Sequence, residues 1–166
     1  MKKIIWMMMV CLLGLMLVGC GKAESTDTGK EVVFRYNGQD ICIDEVYVYA
    51  QTVKEKYESK YGTDVWNQSI VTDEGLEMDA EDAARRETVS RIVKTKTLIT
   101  KSDEYGISLT DSEQRKQDQD AAKFYELLTD EQIKQVGLEE DTVKRVLRES
   151  ALAEKIYTYV MKQSST

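Results

Sequence analysis

No histidine and no proline occur anywhere in the 166 residues, and each absence closes off chemistry. Without His the commonest general base and metal ligand is gone, and Ser-His-Asp and Cys-His nucleophilic sites go with it. Without Pro, neither kinked helices nor Pro-rich linkers are expected. Cysteine is scarce: Cys11 and Cys20 belong to the N-terminal apolar segment and its edge, which leaves Cys42 alone in the body of the chain, with no disulfide partner there. With no flanking base to activate it, Cys42 reads as a small hydrophobe. Basic residues are outnumbered 23 to 30, for a net charge of −7. Losing Lys2 and Lys3 with a leader takes that to −9, the opposite of what nucleic-acid phosphates or a flat seat on anionic lipid require. Gly-rich phosphate loops, metal-ligand spacings and nucleophile elbows are missing too, so no catalytic residue, metal or cofactor is expected.

What is present begins with Lys2 and Lys3, followed by a nearly unbroken apolar run from Ile4 to Val18. Such a run is shorter than the ~20 residues a bilayer-spanning helix needs, and suits the apolar part of a secretory signal. It ends in Leu17-Val18-Gly19-Cys20, which resembles the lipobox of bacterial lipoproteins. The resemblance implies a signal over 1–19, a diacylglycerol on Cys20, and a chain held by lipid on the extracytoplasmic face of the cell membrane. Residues 20–30 then read as a lipidated Cys and a polar, flexible tether.

Residues 31–161 read as one mainly α domain, an N-terminal β-hairpin followed by four to five packed helices, with a polar tail at 162–166. Asn37-Gly38 is the preferred type I′ loop. Its register pairs Tyr36 with Gln39, Arg35 with Asp40, Phe34 with Ile41 and Val32 with Ile43. Asp44 is expected to cap a helix carrying Val46, Tyr49, Ala50, Val53, Tyr57 and Tyr61 down one face, ended by Gly62. Thr63 to Met78 reads as irregular. Asp79 should open a long helix reaching about Glu104, with Val89, Ile92, Val93 and Ile99 inward, stopped by Gly106. Thr110-x-x-Glu113 and Thr129-x-x-Gln132 are capping boxes for two further helices, the second closing at Gly137. The last helix is expected from about Glu140 to Met161, and acidic residues at its start complement its dipole.

Several of these segments, taken in order, resemble a known family. They are the Asn37-Gly38 hairpin with its acidic cap, the Tyr-rich helix and Tyr61-Gly62-x-x-x-Trp66. Then come Leu98-Ile99-x-x-Ser102-x-Glu104-Tyr105-Gly106-Ile107-Ser108-Leu109-Thr110-x-x-Glu113 and Gly137-Leu138-Glu139-Glu140 with Leu152-x-x-Lys155-x-Tyr157. Together they are similar to the N-terminal domain of the SurA/PrsA-type foldases, extracytoplasmic chaperones that are often lipoproteins in Gram-positive bacteria. Ser102 stands where that family usually has Ala, and Glu139 where it prefers Thr or Ser.

The resemblance implies a non-catalytic chaperone role, with unfolded or newly secreted polypeptides as partners and the membrane reached through the N-terminal lipid. In family members a parvulin-type isomerase domain follows this one and uses His residues. The present sequence ends at Thr166 without any His, so isomerase activity is not expected. Phe34, Tyr36, Tyr47, Tyr49, Tyr57, Tyr61, Trp66, Leu152 and Ile156 are the candidate peptide-binding residues, with a groove expected near the hairpin, the first helix and the last helix. Client peptide, a partner or a second copy in a homodimer would fill it. Two other readings stay open: an assembly lipoprotein with one specific partner, and a truncated foldase whose catalytic half is missing.

Overall fold

The computed structural model describes residues 30–164; the signal, Cys20 and most of the tether lie outside the described residues. The chain is mainly helical behind an N-terminal hairpin. β1 (Val32–Tyr36) and β2 (Gln39–Cys42) pair antiparallel about Asn37 (φ 48°) and Gly38 (φ 76°), the two positive φ angles a type I′ loop demands. Tyr36 faces Gln39, Arg35 faces Asp40 and Phe34 faces Ile41, as expected. The fourth pair is a correction: Val32 meets Cys42, not Ile43, because the register shifts between Val32 and Phe34. Val33 is the residue left over, and it is exposed. Ile43 is already helical and closes the ladder through its N–H to Glu31 O at 2.8 Å.

Helix α1 spans Ile43–Tyr61, so Cys42 holds the cap position and Asp44 sits in the first turn. Asp44 is buried, with Lys30 Nζ at 2.7 Å and Thr142 Oγ1 at 2.9 Å from its Oδ2. Burial works to raise its carboxyl pKa, but the bonds from Lys30 and Thr142 outweigh it and hold the group below the usual carboxylate value. Lys30, read as tether, thus belongs to the domain. Beside the same cap, burial first and then the Asp44 charge push the Cys42 thiol up from its ordinary value.

Past Gly62 the expectation of irregular chain is overturned. A 3₁₀ helix (Thr63–Asn67) leads into a second hairpin, β3 (Ser69–Val71) against β4 (Glu77–Asp79), pairing Ile70 with Met78. Helix α2 covers Ala80–Ile99 and breaks at Thr100–Lys101 instead of reaching Glu104; α3 (Ser102–Tyr105) follows and ends on left-handed Gly106. Val89 faces solvent, whereas Ala80, Ala83, Thr88, Ile92, Thr95 and Lys96 make the buried face. Both capping boxes form, opening α4 (Asp111–Glu126) and α5 (Asp130–Val136). Gly137 (φ 61°) turns α5 off, with Leu138 N–H bonding Ile133 O at 3.0 Å. Helix α6 runs Glu140–Ser164, so residues 162–164 continue the helix and are not tail; Lys and Gln there are good helix formers.

Two apolar clusters organise the packing. One joins the first hairpin, the start of α1, α2 and the α4–α6 bundle through Ile41, Val48, Tyr49, Ile92, Ala121, Leu138, Val143 and Val146. The other joins the end of α1, the 3₁₀ helix, the second hairpin and the start of α2 through Val53, Tyr57, Val65, Ile70, Ala80 and Ala83. Each fully buried Val or Ile contributes about 1.5–3 kcal/mol relative to exposure.

Charge is buried beside the first cluster. Lys96 Nζ lies 2.6 Å from Glu149 Oε2 and 2.8 Å from Glu45 Oε1. Arg145 closes the ring, at 3.0 Å from Glu45 Oε2 and 3.4 Å from Glu149 Oε1. Two cations and two carboxylates thus sit at the junction of α1, α2 and α6, neutral as a set. Lys96 reaches it across from Glu45, while further along Glu87 meets Lys56, so α1 and α2 run antiparallel.

Candidate functional site

Helical spacing puts Tyr57 and Tyr61 one turn apart on α1 with ring centroids 5.9 Å apart, edge to face. Gly62, at φ 88°, ends the helix and sends the chain back, so that Trp66 of the 3₁₀ helix stacks on Tyr57 at 6.1 Å and 11°. The indole N–H is spent on Glu58 Oε1 at 2.9 Å, which locks the ring's orientation. The second hairpin then lays Ile70 and Met78, directly paired, toward the same aromatic face, and α2 adds Ala83. Between them lies a cleft of about 260 Å³, lined also by Lys56, Lys60, Thr72, Asp73, Glu74, Arg86, Glu87 and Ser90.

The floor is apolar and the rim is ionic. On one side Lys56 Nζ lies 2.9 Å from Glu87 Oε1, and Arg91 grips the same oxygen at 2.7 Å. Burial acts to raise the Glu87 carboxyl, yet the bonds from Lys56 and Arg91 hold it below its ordinary value. Burial, helped by the neighbouring Glu87 charge, pushes the Tyr57 hydroxyl up to about 12, so it is un-ionised at any physiological pH. At the mouth Lys60 reaches Asp73 of the hairpin loop at 3.3 Å and lies 4.8 Å over the Tyr61 ring. Nothing here forms an activated nucleophile beside a base. Among the described residues no group of three His, Cys, Asp or Glu side chains is placed to hold a metal. The arrangement sets an apolar floor beneath a charged rim.

Of the nine candidate residues, Tyr57 and Tyr61 line this cleft, while Trp66 stacks on Tyr57 without lining it. Phe34, Tyr36 and Tyr47 are half-buried against the first cluster, where Tyr36 also shares a 2.8 Å bond with Thr97 Oγ1. Tyr49, 3% exposed, and Ile156, 0% exposed, lie in the interior and offer no surface; Leu152 is half-buried on α6. The cleft therefore opens between α1, α2 and the second hairpin, away from the first hairpin and α6. Ile70, Met78, Ala83 and Arg86 were missed, and the signal that finds them is Gly75, whose φ of 79° turns the second hairpin. No described helix is long and apolar enough to cross a membrane.

Comparison with known proteins gives the site a context. Foldase protein PrsA from two strains of Clostridium perfringens is 26% identical over 167 aligned positions, covering 97% of this chain and 47% of theirs. The chain thus spans about half the length of the curated relatives it matches. No family model matches, and no solved structure matches. The likeness supports a foldase-type role at the level of the family.

Proposed function

We propose that this chain is a membrane-anchored, extracytoplasmic chaperone-like lipoprotein that holds unfolded or newly secreted polypeptides without catalysing a covalent or isomerisation step. The observation that carries the reading is the aromatic-floored cleft, open to solvent and rimmed by charge, on a chain whose likeness to a foldase runs nearly end to end. A holdase needs apolar surface that is accessible yet bounded, so that it takes exposed client side chains without aggregating itself. Tyrosine suits that work because it presents large, rigid, amphipathic area at low entropic cost. Non-catalysis rests on the absence of His from these 166 residues. Anchoring rests on the lipobox-like Cys20 after a short apolar run.

Light scattering of a chemically unfolded test protein, diluted into buffer with the full chain in mild detergent, tests the proposal. Scattering should fall in proportion to added chain, and Tyr61→Ser should weaken the protection. Scattering that is indifferent to the chain defeats the holdase reading. A Pro-containing peptide assayed alongside should isomerise at its background rate, and an acceleration that scales with protein concentration defeats non-catalysis.

A further inference from the structure

The rim of the cleft carries a sorted set of charges, and its accounting points to the kind of polypeptide it takes. Four of its six charged groups are committed within the fold: Lys56 to Glu87, which also holds Arg91, and Lys60 to Asp73. The two left over are Arg86 on α2 and Glu74 on the hairpin loop, both exposed and neither in an ion pair among the described residues. They project from different walls. Arg86 belongs to the helical wall, one residue before Glu87, while Glu74 belongs to the loop lip that also holds Asp73. Below them the floor of Tyr57, Tyr61, Ile70, Met78 and Ala83 is apolar, and a space of about 260 Å³ suits one large side chain with a little backbone.

We infer that the cleft takes an aromatic or large aliphatic side chain of an extended polypeptide whose flanking residue on the α2 side is acidic and pairs with Arg86. This rests on the holdase reading and sharpens it, turning a surface that tolerates apolar chain into one with a charge preference. Arg suits the role because its planar fork engages a carboxylate with two parallel N–H donors. The acidic lip at Asp73 and Glu74 adds to the preference by repelling an acidic residue placed on the opposite flank. A purely apolar segment leaves Arg86 and Glu74 as they are and gains nothing from either.

Dye-labelled nonapeptides of Gly and Ser with one central Phe test it. The residue next to Phe is Glu, Gln or Lys, and one control carries Glu with Ser in place of Phe. Binding is read by anisotropy against the full chain in mild detergent at low salt, together with methyl resonances of ¹³C-methionine-labelled protein. The Glu peptide should bind tighter than the Lys peptide by up to about fivefold, the ceiling for one exposed ion pair. The order should invert in Arg86→Glu, the Ser control should lose binding, and the Met78 methyl should shift on titration. Equal affinity for the three charged or neutral flanks, an order unchanged in Arg86→Glu, or binding that leaves Met78 still would each overturn the inference. The scattering assay reports separately: clients protected without a flank preference would leave the holdase reading standing and the charge reading lost. Failure of both assays would remove the two together.

Discussion

The two apolar clusters share the long helices α1 and α2 yet put opposite things next to them. Toward the start of α1 the chain buries charge: Glu45 and Lys96 are enclosed, with Arg145 and Glu149 completing a neutral ring, and the hairpin and α6 close over the apolar residues. Toward the end of α1 a cleft opens beside buried Tyr57 and half-buried Tyr61, and the charges sit on its rim. A buried ring is a poor source of net stability, because desolvation offsets most of its Coulomb energy, but it is costly to break. An open aromatic floor contributes less to folding than the same area would if covered. The difference teaches that one end of the molecule specifies how three helices meet, while the other keeps a cleft that the proposed binding role would use.

The sharpest way to break this contrast is to remove one member of the ring. Lys96→Ala leaves Glu45 and Glu149 facing each other in the interior, and should destabilise the fold by about 3–5 kcal/mol. Urea denaturation of the variant checks this. A loss under ~1 kcal/mol would mean that water reaches the junction and that the two ends do not differ as described.

The second test asks whether the open end behaves as a unit of its own. Ile70 is 7% exposed and joins the second hairpin to α1. Ile70→Ala should cost about 2 kcal/mol, the low end for such truncations, because the neighbouring cleft lets the site relax. Hydrogen exchange should lose protection in the second hairpin, the 3₁₀ helix and the first turns of α2, while Ile92 and Val146 keep theirs. A loss spread evenly through both ends would merge the clusters into one cooperative body.

How far all this was readable from the chain depends on what kind of signal each part leaves. Turn and cap chemistry is local, so Asn37-Gly38, Gly106, Gly137 and the boxes at Thr110 and Thr129 were legible residue by residue. The second hairpin was not: Ser69-Ile70-Val71 and Glu77-Met78-Asp79 are three residues each, too short for alternation to show. The inward face of α2 was misread for a different reason. Hydrophobic periodicity placed Ile92 inward correctly but cannot see a buried Lys, and so Val89 was expected inward where Thr88, Thr95 and Lys96 are buried instead. The candidate site followed the same division. Tyr57 and Tyr61 carry their own signal, whereas Met78 joins them only through the unread hairpin and Arg86 only through the packing of α2 beside it. Asp44 had a cap's sequence but became a buried acceptor, because its partners Lys30 and Thr142 are far away along the chain.

A pH titration separates the closed end's outer ties from its interior. Glu113 takes a bond from Lys155 across to α6 and others from the Thr110 backbone and side chain, and these pull its pKa from 4.5 down to about 2. A carboxylate whose folded pKa is depressed stabilises the fold above its unfolded pKa, and that contribution is lost as pH falls through the folded value. Thermal midpoints should therefore decline between about pH 4.5 and pH 2 in the parent chain, and Glu113→Gln should flatten part of that decline. An unchanged slope in the variant would show that the α4–α6 tie does not persist in solution.

The smallest effect is expected where the same chemistry as the buried ring occurs in the open. Arg35 and Asp40 face each other across the first hairpin and form an ion pair. The Arg35 side chain is 54% exposed, against 5% for Lys96. In water-like surroundings the attraction between such groups is small, salt screens it, and holding both side chains in one geometry costs rotamer entropy. The register does not depend on this pair, because Asn37-Gly38 and the Phe34–Ile41 contact already set it. Arg35→Ala should consequently lower the melting temperature by less than about 3 °C, and the difference should vanish in molar salt. A drop as large as that of Lys96→Ala, persisting in salt, would mean that the first hairpin is held by charge after all. The contrast between enclosed and exposed ion pairs would then fail at its weaker end.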